Sequence, residues 1–137
     1  MRGESDEALP VLLDTTVLID VLRGWGAANR LLELRSSGEV PFVCSINVEE
    51  IWRGIRPDEE DDAGTLVDGL RLAELGVAEG QLAGRWRREA AAQGITLSQA
   101  DCLIGAAAVG VGARLATGNP KHFPMEELEV EHWPAGV

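Results

Sequence analysis

The sequence predicts an α/β protein in which a mostly parallel sheet is covered by helices on both faces. Three observations carry this expectation. The apolar run Val11-Leu12-Leu13 closes on Asp14 and restarts at once as helical periodicity through Val17, Leu18, Val21 and Leu22, the pattern of a strand, a turn and a helix. Short apolar runs and longer helical stretches then alternate along the chain, as parallel strands joined by helical crossovers require. Acidic and polar residues, Asp14 first among them, recur at the boundaries between elements, and ligands of open α/β sheets bind outside the carboxyl ends of the strands.

The remaining elements follow in order. Gly24 and Gly26 punctuate the first helix, and Ala27, Leu31 and Leu34 predict a second that ends near Ser36-Ser37-Gly38. Val40 to Ser45 is a short apolar run whose Pro41 stands early, where a strand tolerates it. Helical spacing resumes at Asn47 through Val48, Ile51, Trp52 and Ile55, and Pro57 stops it. The acidic run Asp58 to Asp62 suits a solvated turn or the first turn of a helix, where negative charge complements the dipole. Apolar residues at 66, 67, 70, 72 and 75 predict a helix from Leu66 to Leu75, with Gly76 as its stop. A longer helix follows from Ala78 to Gln93, closed by Gly94; its Arg85, Arg87 and Arg88 read as a solvated face, with phosphate contact as the alternative. Ser98 opens another helix through Leu103, Ile104, Ala107 and Ala108, Arg114 to Thr117 is a strand, and Leu128 to Trp133 alternates as an edge strand does.

At 137 residues and 45% hydrophobic content the chain suits one core, so residues 10–137 are expected to form a single domain behind a flexible tail of residues 1–9. That tail is acidic and lacks the apolar centre of a signal peptide, and the longest uncharged stretch, Cys102 to Ala113, falls short of the roughly 20 residues that span a bilayer. A cytoplasmic protein is expected. Cys44 and Cys102 lie in apolar segments without metal-site spacing and read as small buried hydrophobes. A net charge of −11 argues against binding nucleic acid through a broad basic face. It leaves room for a nuclease, because carboxylates gathered around a divalent cation add negative charge where the metal supplies the positive.

Asp14, Glu50 and Asp101 are the acids that stand at such boundaries. Each has a bland reading. Asp14 suits the N-cap of the helix after it, Glu50 follows Asn47 by three residues and Asp101 follows Ser98 by three, both in the spacing of a capping box. A carboxylate on a helix's first turn also points where the dipole favours the ionised form that a metal needs, so capping and ligation can use one geometry. If the three converge at one sheet edge, a donor set of oxygens without His or Cys suits Mg²⁺ or Mn²⁺, ions that serve phosphodiester hydrolysis.

Four segments in this order, LLDTTVLIDVLRG, INVEEIWRG, LSQADCLIGAAA and LATGNPKHFP, resemble the signatures of PIN-domain ribonucleases of the VapC toxin type, over nearly the whole span from Val11 to Trp133. The resemblance implies a PIN-like three-layer fold and a Mg²⁺- or Mn²⁺-dependent endoribonuclease. It implies a VapB-like antitoxin that wraps the toxin and blocks the acidic site, often with an Arg, and a homodimer without membrane association. It carries the acids onto Asp14, Glu50 and Asp101, and the strand-end T-x-(D/N) pattern onto Thr117-Gly118-Asn119, with Thr16 as a supporting hydroxyl or a helix cap. Asn119 holds an amide where many relatives have a carboxylate, and His122-Phe123 stands where many have an acid before Phe; His122 reads as a surface residue or a phosphate contact. The alternative function is a catalytically weak PIN-like module that binds protein. A different phosphoryl-transfer enzyme is disfavoured, because Asp14-Thr15-Thr16 lacks the second Asp of a D-x-D strand and the chain has no phosphate-binding G-x-x-x-x-G-K-[ST] loop. Trp25, Trp52, Trp86 and Trp133 read as core or partner-interface residues.

Overall fold

The structure is a computed structural model and describes residues 9–136. Strand β1 (Val11–Leu13) is followed by helices α1 (Thr15–Leu22) and α2 (Gly26–Ser36), and β2 (Phe42–Val43) by α3 (Ser45–Gly54) and α4 (Glu60–Asp68). Next come β3 (Arg71–Leu72), α5 (Val77–Ala92), α6 (Gln99–Gly110), β4 (Arg114–Thr117) and β5 (Val130–His132). The strands pair in the order β3-β2-β1-β4-β5, and every pairing is parallel.

This order dictates the layers. The chain steps outward from β1 to β2 to β3, then returns past β1 to lay down β4 and β5 on the other side. Crossovers between parallel strands are right-handed, so reversing the direction of travel moves the connecting helices to the opposite face. Accordingly α1 to α4 contribute Val17, Leu18, Ala27, Leu31, Ile51 and Ala63 to one core, and α5 and α6 contribute Ala83, Trp86, Cys102, Ile104 and Ala107 to the other. The sheet feeds both by alternation: Leu12 and Leu115 face the second core, whereas Val11, Leu13 and Ala116 face the first. A central strand buried on both sides reads as an unbroken apolar run, which is why Val11-Leu12-Leu13 was legible.

Two expectations are corrected. The helix expected from Leu66 to Leu75 starts earlier, at Glu60, and ends at Asp68; Arg71–Leu72 is instead an edge strand, with Arg71 N donating to the Pro41 carbonyl and Ala73 N to that of Val43. Leu66, Val67 and Leu70 do pack, against the core under α3 and α4, while Leu72 is exposed, so two elements had merged into one apparent periodicity. The helix expected from Asn47 begins at Ser45, because Asn47 sits inside the first turn and its Oδ1 accepts from Cys44 N at 3.1 Å.

Other expectations hold. Arg114–Thr117 is a strand with the expected bounds, Gly94 closes the loop after α5 at φ +77°, and both cysteines are free and buried. Trp86 and Trp133 are buried, whereas Trp25 and Trp52 reach the surface. The tail expected over residues 1–9 lies outside the described residues except for Leu9, whose carbonyl accepts from the Arg114 guanidinium. No helix among the described residues is long and apolar enough to cross a membrane.

Candidate active site

The strand order reverses between β1 and β4, and the carboxyl ends of those two strands flank the crevice where an open α/β sheet binds its ligands. Asp14 leaves β1 there and Thr117 ends β4. Thr117 Oγ1 donates to Asp14 Oδ2 at 2.7 Å and accepts from Asn119 N at 3.0 Å. A backbone N–H can only donate, so it claims a lone pair of the hydroxyl and leaves the hydroxyl proton for Asp14. Asp14 occupies the N-cap position of α1, yet its side chain makes no cap hydrogen bond. Its carboxylate is therefore not spent on the second- and third-position N–H groups that a capping side chain binds. It is 5% exposed, and burial pushes its pKa above the ordinary aspartate range; hydrogen bonds from Thr117 and the Thr15 backbone pull it down, while the charges of Asp101 and Glu50 push it further up.

Glu50 and Asp101 thus face Asp14 across 36 and 87 residues of sequence, although they reach the edge by different routes. Glu50 was expected on the first turn of its helix. With α3 starting at Ser45 it lies on the second turn, and the capping bond belongs to Asn47. Glu50 Oε1 instead accepts from Thr15 Oγ1 at 2.6 Å, and Thr15 Oγ1 accepts from Asn47 Nδ2 at 3.1 Å. Asp101 stands on the first turn of α6, where its backbone N donates to Ser98 Oγ at 3.0 Å. Capping uses the Asp101 backbone and leaves the side chain to the crevice, with His122 Nδ1 at 3.6 Å from Oδ2.

The weaker candidates divide. Thr117 is fully buried against Asp14. Thr16 turns from the acids and accepts from Gly118 N at 2.9 Å, fastening the loop after β4 to α1. That approach leaves no room beside Gly118: a Cβ there would stand 3.0 Å from the Ala135 Cβ and 3.2 Å from Thr16 Oγ1. Asn119 is exposed at the rim; its backbone N donates to Thr117 Oγ1 and its carbonyl accepts from His122 N at 3.0 Å, while no hydrogen bond engages its side chain among the described residues. The arginines of α5 make ordinary surface contacts, Arg85 with Glu127 and Arg87 with the Leu97 carbonyl at 3.1 Å.

Sequence reasoning missed Thr15 and Asn47. Thr15 is adjacent to Asp14 in a motif whose Thr16 is the hydroxyl the resemblance implies, and Asn47 has in sequence the spacing of a helix start and a capping-box partner of Glu50. Asn47 is a polar residue at a fully buried position and Thr15 is partly buried beside it, and burial is a tertiary property that spacing does not reveal.

The chemistry of the donors fits a hard divalent cation. Asp14 feels the charges of both Asp101 and Glu50, and no Arg or Lys among the described residues forms an ion pair with any of the three. The charge missing from this crevice is positive. No three acidic, His or Cys side chains among the described residues yet stand at coordinating separation, so ligation would draw these oxygens closer.

Against known proteins, the sequence model of the PIN domain matches residues 11–125, most of the chain. The chain belongs to the PIN domain family. Ribonuclease VapC19 of Mycobacterium tuberculosis (strain H37Rv) is 37% identical over 119 residues, which cover 83% of this chain and 92% of that protein. Among solved structures, VapBC2 of Rickettsia felis bound to a promoter DNA fragment superposes with a TM-score of 0.80 at 20% identity, over 91% of this chain and 99% of that one. FitAcB of Neisseria gonorrhoeae gives a TM-score of 0.74 at 19% identity, over 93% and 99% of the respective chains. The PIN domain fold expected from the four segments is therefore the fold observed, and the matched span contains Asp14, Glu50, Asp101, Thr117 and Asn119 alike.

Proposed function

We propose that this PIN domain is a metal-dependent endoribonuclease, the toxin of a VapBC-type pair, that hydrolyses RNA phosphodiester bonds at the crevice between β1 and β4. One observation carries the reading: three carboxylates from separate elements act on one another at the switch point of the sheet, and among the described residues none is paired with an Arg or Lys. The 37% identity to a ribonuclease supports the reaction class. Asp14, Glu50 and Asp101 are the proposed ligands and catalytic acids, and Mg²⁺ or Mn²⁺ the proposed ion. Such an ion, when bound, activates water and offsets charge on the scissile phosphate. Thr117 holds Asp14 by one oxygen, Oδ2. Asn119 offers a neutral amide at the rim. His122, beside Asp101, is exposed enough to meet a substrate phosphate.

The structural neighbours are complexes of VapBC and FitAB type, which supports a VapB-like antitoxin as partner. An acidic crevice lacking its own cation accepts a guanidinium readily. A homodimer and a cytoplasmic site of action complete the proposal.

Asn119 favours a second reading, a module that binds protein and cuts RNA weakly, since an amide adds no charge to the donor set. Cleavage of a structured RNA by antitoxin-free protein separates the two. Wild type is expected to cut in Mg²⁺ or Mn²⁺ and stop in EDTA, and Asp101→Asn to lose at least about 100-fold in rate while keeping its melting temperature, because its backbone still bonds Ser98. Inert wild type in both metals hands the function to the binding module.

A further inference from the structure

Glu50 is the one acid of the three that hangs from the middle of a helix, with a flexible side chain to hold in place. Its restraint is a chain of polar atoms that crosses between α1 and α3. Cys44 N donates to Asn47 Oδ1 at 3.1 Å, Asn47 Nδ2 donates to Thr15 Oγ1 at 3.1 Å, and Thr15 Oγ1 donates to Glu50 Oε1 at 2.6 Å. The direction of every link is forced from one end. A backbone N–H must donate, so Asn47 must present oxygen to Cys44 and nitrogen to Thr15. The hydroxyl of Thr15 then has one proton left, and Glu50 receives it. Asn47 is fully buried, so no water competes for the middle of the chain. The last link is the shortest of the three.

Thr117 obeys the same logic on the other side of β1, where Asn119 N fixes the hydroxyl and Asp14 receives its proton. Two threonines, one at each flank of the central strand, thus each pin one oxygen of one acid. Asp101 has no such hydroxyl holding its side chain among the described residues; Ser98 Oγ is occupied by its backbone N.

We infer that Thr15, backed by Asn47, is a positioning residue that fixes one oxygen of Glu50 and presents the other to a divalent cation; this rests on the metal-dependent nuclease proposed above. Holding a ligand through its outer hydrogen bond typically changes metal affinity or activity 10- to 100-fold. The loss of the hydroxyl leaves Glu50 free to swing into solvent and also leaves Asn47 Nδ2 without its acceptor.

The test is Mn²⁺ binding to the full-length, antitoxin-free protein by calorimetry, with RNA cleavage followed in parallel. Thr15→Val is expected to weaken Mn²⁺ binding about 10-fold or more, and Thr15→Ser, which restores the hydroxyl, to stay within about 3-fold of wild type. Thr15→Ala, a better helix former at this first-turn position, serves if the Val variant folds poorly. A merely structural threonine would lower the melting temperature and leave the Mn²⁺ affinity of the folded protein unmoved. Unchanged affinity in Thr15→Val and Thr15→Ala overturns the inference, as does a Ser variant as weak as Val, or a wild type that binds no Mn²⁺. Should Mn²⁺ binding weaken as expected while no form cuts RNA, the positioning role stands and the nuclease reading falls.

Discussion

Replacing Thr117 by Val should destabilise the protein in a manner that depends on pH. The two side chains have nearly the same shape, so the change removes a hydroxyl and little else. That hydroxyl donates to the buried Asp14 carboxylate at 2.7 Å. A hydrogen bond to a charged group contributes about 1.5–3 kcal/mol, against about 0.5–1.5 for a neutral pair. The acceptor lost to Asn119 N matters less, because that residue is exposed and water can replace it. The expected cost at pH 7.5 is therefore about 2–3 kcal/mol, or roughly 6–12 °C in melting temperature for a chain of this size. The Asp14 pKa already lies above its unfolded value, and the Thr117 bond lowers it. Removing the bond raises it further, so the penalty is full where Asp14 is ionised and shrinks as pH falls toward the ordinary aspartate value near 4. As Asp14 takes up its proton it should fall toward about 1 kcal/mol, that of a neutral hydrogen bond. Thr117→Ser is the comparison: it keeps the hydroxyl, loses a buried methyl and should cost about 1 kcal/mol at every pH. Urea unfolding followed by tryptophan fluorescence across pH 4.5 to 7.5 measures both differences. A Val penalty that does not change with pH, or that never exceeds the Ser penalty, would refute the claim that Thr117 serves the charged form of Asp14.

Three further outcomes are expected. Asp14→Asn should abolish RNA cleavage and yet stabilise the metal-free protein at neutral pH by on the order of 1 kcal/mol, since it removes a desolvated charge from beside two like charges; a thermal melt that falls instead contradicts the crowding. Mn²⁺ at about 100 times its dissociation constant should stabilise the wild type by about 2.7 kcal/mol, and a flat melting temperature at millimolar metal would count against the donor set. Asn119→Asp should tighten Mn²⁺ binding in calorimetry, because the side chain is at the rim and its amide is otherwise unengaged; equal affinity would place that side chain away from the ion.

The sequence disclosed those parts of this molecule that local physics governs. β1 and β4 were readable because central parallel strands bury both faces, and Gly94 marked its helix end because a positive φ suits glycine. The two-residue β3 was not readable: Arg71 and Leu72 are both exposed, so no alternation betrays a strand whose existence depends on pairing with β2. The start of α3 was misplaced by the same blindness, since an Asn that caps from inside the first turn looks in sequence like an Asn that precedes it. The three acids stand out in the sequence, but the bond that holds Glu50 beside Asp14's neighbour Thr15, 35 residues away, is one that only the folded chain creates.

The site also has a mechanical character that follows from the layered build. Asp14 belongs to the sheet, Glu50 to the layer whose core holds Ile51 and Val17, and Asp101 to the layer whose core holds Ile104 and Trp86. An ion gripped by all three would act as a rivet driven through the whole stack, tying together two cores that are otherwise tuned separately.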